Sequence, residues 1–332
     1  MMKNVRQQKM IALALGALLT AGVVAGCGGK QETAAKADAV KRIGVLQLVQ
    51  HGALDAANKG FVDGLAAKGY KDGENIKIDQ QNAQGDQSNL KTISQRFVNN
   101  KVDLIYAIAT PAAQSVANET KTIPVVGSAI TDYEKAKLVQ TNAKPGGNVT
   151  GTTDYIPQQQ QIDLALKLLP QAKTVGALYT SSEANSQVQV QAMKAYAAEK
   201  GLTVVEATVT SVNDIQQAIQ SLIGKVDFIY CPTDNTIASA MANIAKVAIP
   251  AKLPVFVGDE TMVRTGGTAG ISVDFYKLGF QSGEMAADIL AGKAKPADMP
   301  IAVQKEAKLI VNAEAAKAIG LTIPEDLLRQ AK

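Results

Sequence analysis

Tryptophan is absent from this 332-residue chain, histidine occurs once, at His51, and cysteine twice, at Cys27 and Cys231. One histidine and two cysteines of unlike context do not give metal ligands at ligand spacing. Nor does a Ser–His–acid set stand at readable spacing for a nucleophilic triad. No glycine-rich loop follows a strand, since Gly44-Val45-Leu46 lies inside one, which removes the usual phosphate cradle. The expectation is a protein that is not an enzyme and holds no metal and no cofactor. Aromatic residues make up only 4% of the chain. With no indole available to stack on a ring face, this argues against a sugar site. Excess charge of one sign is also missing. Lys3, Arg6 and Lys9 stand in the first nine residues, and without them 31 basic residues face 30 acidic ones. No basic tract remains, which argues against a nucleic-acid partner.

What is present begins with an export leader over residues 1–26. Residues 1–9 carry three positive charges and no negative one, and Met10 to Ala25 is apolar or small except for Thr20. That is an n-region and h-region, too short for a comfortable membrane span. It ends Val24-Ala25-Gly26-Cys27, which resembles the bacterial lipobox. The resemblance implies cleavage before Cys27 and acylation of its sulfur and new amino group, a lipid anchor that buries many methylenes. An uncleaved anchor helix, or a soluble signal with an incidental cysteine, are the plainer alternatives. Residues 27–40 are small and polar and read as a flexible tether. Cys231 ends the apolar run Val226-Asp227-Phe228-Ile229-Tyr230 and reads as a small core residue rather than a disulfide partner of Cys27.

With 46% hydrophobic residues the chain can bury a large core, and its length suits two domains. From Lys41 on, short apolar runs alternate with amphipathic stretches, the βαβ pattern of a parallel sheet. Strands are expected at Ile43–Leu48, Ile76–Gln80, Leu104–Ile108 and Val125–Val126. Helices are expected at Leu54–Lys68, Leu90–Asn99 and Ala112–Thr120. The second half repeats the first: Ile43-Gly44-Val45-Leu46 matches Val175-Gly176-Ala177-Leu178, and Lys68-Gly69-Tyr70 matches Lys200-Gly201-Leu202. Lys101-Val102-Asp103-Leu104-Ile105-Tyr106 matches Lys225-Val226-Asp227-Phe228-Ile229-Tyr230, and Ile123-Pro124-Val125-Val126 matches Leu253-Pro254-Val255-Phe256. Four matches in one order imply an internal duplication, although any two α/β units share some such words. The fold class expected is α/β, two doubly wound Rossmann-like lobes with a hinge. Lobe 1 would comprise 41–150 and 275–292, lobe 2 would be 151–274, and 293–332 would pack across the lobes. The crossing is expected near Asn148–Tyr155 and the return near Asp274, followed by a helix over Tyr276–Ala291.

In doubly wound sheets ligands sit beyond the carboxyl ends of the strands, and two facing lobes close on a small molecule by hinge motion. Strand-end residues are therefore the candidates. Ala109-Thr110-Pro111-Ala112-Ala113-Gln114 offers Thr110 as a cap and Pro111 as the first helical residue. Free N–H groups on Ala112 and Ala113 would make a seat for a carboxylate, or this is an ordinary capped helix. The equivalent stretch of the second half is Pro232-Thr233-Asp234-Asn235-Thr236, where Asp234 either caps its helix or faces the cleft to pair with an ammonium. Thr131-Asp132-Tyr133, Ser181–Ser186 and Asp259-Glu260 end other strands. His51 opens the helix after the first strand, where it either meets the ligand or lies exposed.

Several long words resemble the ABC-transporter substrate-binding family typified by tryptophan/tyrosine-binding lipoproteins. They are Ile43-Gly44-Val45-Leu46-Gln47 with His51-Gly52-Ala53-Leu54-Asp55-Ala56, Gly60-Phe61, Gly64-Leu65, Asn82-Ala83-Gln84-Gly85-Asp86, Ala107–Gln114, Pro145-Gly146-Gly147-Asn148-Val149-Thr150-Gly151 and Pro232–Thr236. One departure is Ala129-Ile130-Thr131-Asp132-Tyr133, where Asp-Pro is expected. The resemblance implies a type I periplasmic-binding-protein fold, a monomer tethered outside the cell membrane, and a permease with its ATPase as partners. It also suggests an aromatic amino acid as cargo. The ligand carboxylate would rest on the Ala112 and Ala113 amides with Thr110 and Ser182 or Asn185. The ammonium would meet Asp234, with Asn235 and Thr236 completing the polar shell. Tyr155 or Tyr276 near the hinge, and His51, would line the side-chain pocket, and the strand-end reading adds Thr131, Asp132 and Asp259 as polar candidates. A surface sensor domain, or a carrier of a branched-chain amino acid or another small polar solute, remain alternatives.

Overall fold

The computed structural model describes residues 40–331. The export leader, Cys27 and most of the tether lie outside the described residues. In chain order the first lobe has β1 (Lys41–Gln47), α1 (Gly52–Ala67), β2 (Ile76–Asn82), α2 (Gln87–Asn99), β3 (Leu104–Ile108), α3 (Thr110–Glu119), β4 (Val125–Ile130) and β5 (Val149–Thr153). The second has α4 (Gln158–Leu168), β6 (Thr174–Thr180), α5 (Ala184–Glu199), β7 (Thr203–Val209), α6 (Ile215–Leu222), β8 (Phe228–Cys231), α7 (Asn235–Ser239), α8 (Met241–Ala248), β9 (Val255–Val257), α9 (Glu260–Arg264) and β10 (Ala269–Ser272). Then follow α10 (Phe275–Leu290), β11 (Ala302–Val303), β12 (Lys308–Val311), α11 (Ala313–Ile319) and α12 (Glu325–Gln330). No helix among the described residues is long and apolar enough to cross a membrane.

The strands form two six-stranded sheets, ordered β11-β5-β4-β3-β1-β2 and β12-β10-β9-β8-β6-β7. Apart from the outermost strands β11 and β12 these are the same topology, as the repeated words of the sequence imply. The first sheet is parallel throughout, and in the second only β12 runs antiparallel to its neighbour. Central strands such as β1, β3 and β4 are buried on both faces, which is why they read as unbroken apolar runs. The duplication extends to side-chain detail. Asp103 accepts from the Arg42 N–H at 2.7 Å, and Asp227 accepts from the Lys173 and Thr174 N–H groups at 2.7 and 2.8 Å. Each pins the start of the first strand of its lobe to the start of the third. Cys231 is fully buried in β8 and unpaired, as a small core residue would be.

The chain crosses between lobes three times. Asp154–Pro157 joins β5 to α4, Val273-Asp274 joins β10 to α10, and residues 304–307 join β11 to β12. β5 pairs with β4 throughout, so the sheet of the first lobe runs to Thr153, beyond the boundary of 150 set by the turn chemistry. The segment after α10 is shared: β11 extends the first sheet and β12 the second. Gln304 binds across two crossings, its Oε1 accepting from the Asp274 N–H at 2.6 Å.

Helix α10 docks on α1 of the first lobe through four glycines spaced for close approach. A Cβ on Gly60 would lie 2.1 Å from the Tyr276 carbonyl oxygen, and one on Gly64 2.2 Å from that of Phe280. In return, Gly279 and Gly283 would place theirs 1.9 Å and 2.3 Å from the Ala57 and Phe61 carbonyl oxygens. The backbones touch, which fixes the angle at which the chain returns from the hinge. Below them the Phe61 and Tyr106 rings stack at 3.8 Å, and the Tyr106 hydroxyl donates to the Ala57 carbonyl.

Candidate functional site

The carboxyl ends of both sheets face one another across a narrow, nearly filled cleft, with a cavity of about 10 Å³. From the first lobe it is lined by His51, Ala53, Leu54, Ala129 and Phe275, from the crossing by Asp154, and from the second lobe by Thr233, Asp234, Asn235, Ala238 and Asp259. The lobes touch here. His51 Nε2 meets Asn235 Oδ1 at 3.3 Å, Thr131 Oγ1 meets Thr233 Oγ1 at 3.4 Å, and Gln189 donates to Thr131 Oγ1 at 3.4 Å. A second cavity at the mouth, lined by Leu48, Val49, Pro111 and Val212 among others, opens to solvent.

Two strand ends of the first lobe are strained. Ala109 has φ 86° and ψ 152°, and Ala129 has φ 56°, left-handed conformations that a Cβ disfavours. The first starts α3 one residue earlier than proline and threonine chemistry implies. Ala109, not Thr110, is the cap, and Thr110 becomes the first helical residue. The carboxylate seat shifts accordingly. The Ala113 N–H already donates to the Ala109 carbonyl at 3.1 Å, so that amide is spent. The Thr110 and Ala112 N–H groups precede that first bond, and Thr110 is buried with its hydroxyl unpartnered. Helix α1 offers a further set. Its first internal bond runs from the Asp55 N–H to the His51 carbonyl, which leaves the amides of Gly52, Ala53 and Leu54 ahead of it, two of them on cavity-lining residues.

Asp234 does not fit the ammonium role that the resemblance implies. Its Oδ1 accepts from the Ile237 N–H at 2.9 Å and the Thr180 hydroxyl at 2.8 Å. Its Oδ2 accepts from the Thr180 N–H at 2.6 Å and the Ser186 hydroxyl at 2.7 Å. A carboxylate has about four lone-pair sites, and all are used within lobe 2. Burial, then the neighbouring Glu183 charge, push its carboxyl up, against donors that hold the ionised form. Asp234 ties β6, α5 and α7 together, so although it lines the cavity its oxygens serve the capping role and are not free for an ammonium.

The other candidates divide. Asn235 is in the cavity wall, and Asn185 is buried behind it, its amide donating to Glu183 and to the Thr233 carbonyl with Oδ1 left unpartnered. Thr131 sits at the lobe contact, and Asp259 lines the cavity while its Oδ1 caps α9. Thr236 gives its hydroxyl to Glu183 and lies with exposed Ser182 at the mouth rather than in the cavity. Asp132 is spent on a local turn, accepting from the Lys135 N–H at 2.9 Å. Tyr155 is 43% exposed, so it walls no closed pocket. Tyr276 points onto the outer face of α1, its hydroxyl donating to Asp63 at 2.9 Å. Its neighbour Phe275, one helical step away, is the aromatic that lines the cavity.

Sequence reasoning missed Asp154, and it gave Glu183 no role beyond its place in the strand-end loop Ser181–Ser186. Asp154 is 4% exposed, and its Oδ1 has no partner. Burial pushes its carboxyl up to about 6, aided by the nearby Asp259 charge and opposed by the Thr131 hydroxyl and its own N–H. The signal available was an acid directly after the strand that ends at the crossing. Glu183 is buried and accepts from the backbone and side chains of Asn235 and Thr236, with four contacts of 2.6 to 3.1 Å.

The closeness of the lobes has a consequence at Gly52. A Cβ there would lie 2.9 Å from Thr261 Cγ2 of the second lobe, and the Thr261 hydroxyl is anchored on Asp259 at 2.6 Å. Gly52→Val is expected to wedge the lobes apart and lower ligand affinity about tenfold or more, the cost of overpacking. The thermal midpoint of the unliganded chain should be unchanged. Calorimetric titration and a melt check both, and undiminished affinity would refute the contact.

Comparisons with known proteins agree with this geometry. The family profile for ABC transporter substrate binding protein matches residues 42–332. The chain is 41% identical over 324 residues to a tyrosine-binding protein of Clostridioides difficile, covering 96% of this chain and 94% of that one. It is similar to a Streptococcus pneumonia ABC domain solved in complex with L-Trp, with 46% identity, a TM-score of 0.85, and 88% and 98% of the two chains covered. It is also similar to the ligand-free, open structure of a Clostridium difficile substrate binding protein with adhesive properties. There identity is 44% and the TM-score 0.67, over 88% of this chain and 98% of that one. At nearly equal identity, the chain superposes better on the L-Trp complex than on the ligand-free, open structure, and its own lobes meet through direct hydrogen bonds.

Proposed function

Since the chain belongs to the ABC transporter substrate binding protein family, we propose that it captures a free amino acid, aromatic in its side chain, and delivers it to a permease powered by a cytoplasmic ATPase. A substrate-binding protein of this family is not an enzyme, and its folded body works outside the cytoplasmic membrane. One observation carries the cargo reading. Buried polar atoms without partners are rare in folded proteins, and the five found among the described residues are His51 Nδ1, Asn58 Oδ1, Thr110 Oγ1, Asp154 Oδ1 and Asn185 Oδ1. Two of these, His51 Nδ1 and Asp154 Oδ1, belong to residues that line the cavity, and Thr110 and Asn185 stand in neighbouring strand-end loops. As lone-pair acceptors, the two in the cavity wall suit a molecule that carries hydrogen-bond donors.

The charge pattern supports a zwitterion. No lysine or arginine lines the cavity, whereas Asp154, Asp234 and Asp259 do. An ammonium placed at Asp154, with Asp259 nearby, offsets the burial of that carboxylate and fills its open oxygen. The carboxylate end suits the leading amides of α1 and, beside them, those of Thr110 and Ala112. Phe275 offers a ring edge for aromatic packing. The tyrosine named for one relative and the L-Trp bound in another favour an aromatic cargo. The lipid anchor follows from the lipobox-like Val24-Ala25-Gly26-Cys27. Fatty-acid labelling should be lost in Cys27→Ala with release from the membrane, and an unlabelled parent protein would refute the anchor.

The reading is tested by thermal melts of the mature chain with each of the twenty amino acids. L-tyrosine or L-tryptophan should give the largest shift, since ligand at 100 times its Kd stabilises by about 2.7 kcal/mol. Absence of any shift would contradict the proposal. Because the chain contains no tryptophan, indole fluorescence of added L-tryptophan reports the ligand alone.

A further inference from the structure

The hydrogen-bond chain Glu183–Asn235–His51 sets which atom the single histidine turns to the ligand. Glu183 Oε2 accepts from the Asn235 side-chain amide at 2.6 Å and from its backbone N–H at 3.1 Å. A carboxylate that already takes the two Thr236 donors on its other oxygen has no proton to give. The Asn235 amide therefore cannot flip, and its Oδ1, not its NH₂, faces His51 across the cleft at 3.3 Å. An oxygen there accepts, so His51 Nε2 carries the hydrogen. In the neutral ring Nδ1 is then a lone-pair acceptor. It is buried, it belongs to a cavity-lining residue, and it has no partner among the described residues.

We infer that His51 Nδ1 accepts a hydrogen bond from an N–H or O–H on the ligand's side chain, so that the site selects aromatic amino acids with a polar ring atom and discriminates against phenylalanine. The inference rests on the amino-acid reading above. The carboxylate of a zwitterion has no donor to offer, and its ammonium is drawn to the Asp154 and Asp259 charges, which leaves the side chain to serve Nδ1. A ligand lacking that donor leaves a buried acceptor empty, the situation in which sites reject an analogue most strongly. Glu183 and Asn235 act as positioning residues. Asn235 touches His51 and Glu183 holds Asn235, and neither is asked to touch the ligand's polar ring atom.

The test is calorimetric titration of the full mature chain with L-tyrosine, L-tryptophan and L-phenylalanine, for wild type, His51→Leu and His51→Asn. Wild type should bind L-phenylalanine about 10- to 100-fold more weakly than L-tyrosine, the range set by one unsatisfied buried group. His51→Leu should bring that ratio to within about threefold, while His51→Asn, which can set a carbonyl oxygen near the Nδ1 position, should keep most of it. A purely structural role for His51 would weaken all three ligands together and leave the ratio intact, which overturns the inference. Equal affinity of wild type for L-tyrosine and L-phenylalanine overturns it without any variant. If none of the three binds, the amino-acid reading has failed, and this one with it.

Discussion

On the proposed reading, Asp154→Asn should weaken amino-acid binding by about 100-fold or more, because it removes the buried charge placed against the ligand's ammonium. The same substitution should make the empty protein close more readily. In the closed lobes Asp154 is 4% exposed with an open oxygen, and its carboxyl is pushed up to about 6, against about 3.9 for a solvated one. Closing the empty cleft on the ionised carboxylate is therefore penalised on the order of 3 kcal/mol, and a cation in the cleft removes the penalty. The sign with pH follows. A group whose pKa is higher in the closed state favours closure as pH falls. The penalty is complete above about pH 6 and fades as pH drops toward about 4. Small-angle scattering of the ligand-free chain should give a smaller radius of gyration at about pH 5 than at about pH 8. Asp154→Asn should be compact at both. A wild-type radius independent of pH, with unaltered affinity in the variant, would remove Asp154 from the account.

Gly279→Leu should cost the fold about 3 kcal/mol or more and lower the thermal midpoint by roughly 6 °C or more. The added Cβ would stand 1.9 Å from the Ala57 carbonyl oxygen and 2.7 Å from its carbon, atoms of backbone rather than of a movable side chain. Relief by sliding is blocked, since Gly60, Gly64 and Gly283 bring the same two helices into backbone contact along their length. The helices must separate, which pulls Phe61 off Tyr106 and opens the core under α1. Because α10 leaves the crossing at Asp274, a shifted helix also moves Phe275 in the cleft wall. A midpoint within about 2 °C of wild type would show the helix contact to be looser than described.

The duplicated architecture was legible because it is written in buried parallel strands. Ile43–Leu46 and Val175–Leu178 must be apolar on both faces, so their recurrence is visible without any structure. Strand ends were legible as places, but not as orientations. The Asp234 in Pro232–Thr236 reads equally as a cap or as a ligand carboxylate, and only the positions of Thr180 and Ser186 on other elements decide for the cap. Phe275 and Tyr276 differ by one helical step of about 100°, which sends one ring into the cleft and the other over Asp63. Thr110 looked like the cap because threonine before proline usually is one, whereas a left-handed Ala109 starts the helix earlier. Asp154 fell within a stretch read as a lobe junction, and a junction carries no periodicity to mark which of its residues is buried. Its importance comes from long-range closure, which brings Thr131 and Asp259 around it.

On the proposed reading, the buried, unpartnered oxygen of Asp154 takes the ammonium of the cargo. Calorimetric titration with L-tyrosine and with its analogue lacking the amino group, 3-(4-hydroxyphenyl)propionate, asks this directly, since the two differ in nothing that fills the cleft except the ammonium. The analogue should bind about 100-fold more weakly or not at all. Equal affinity for the two would contradict the account.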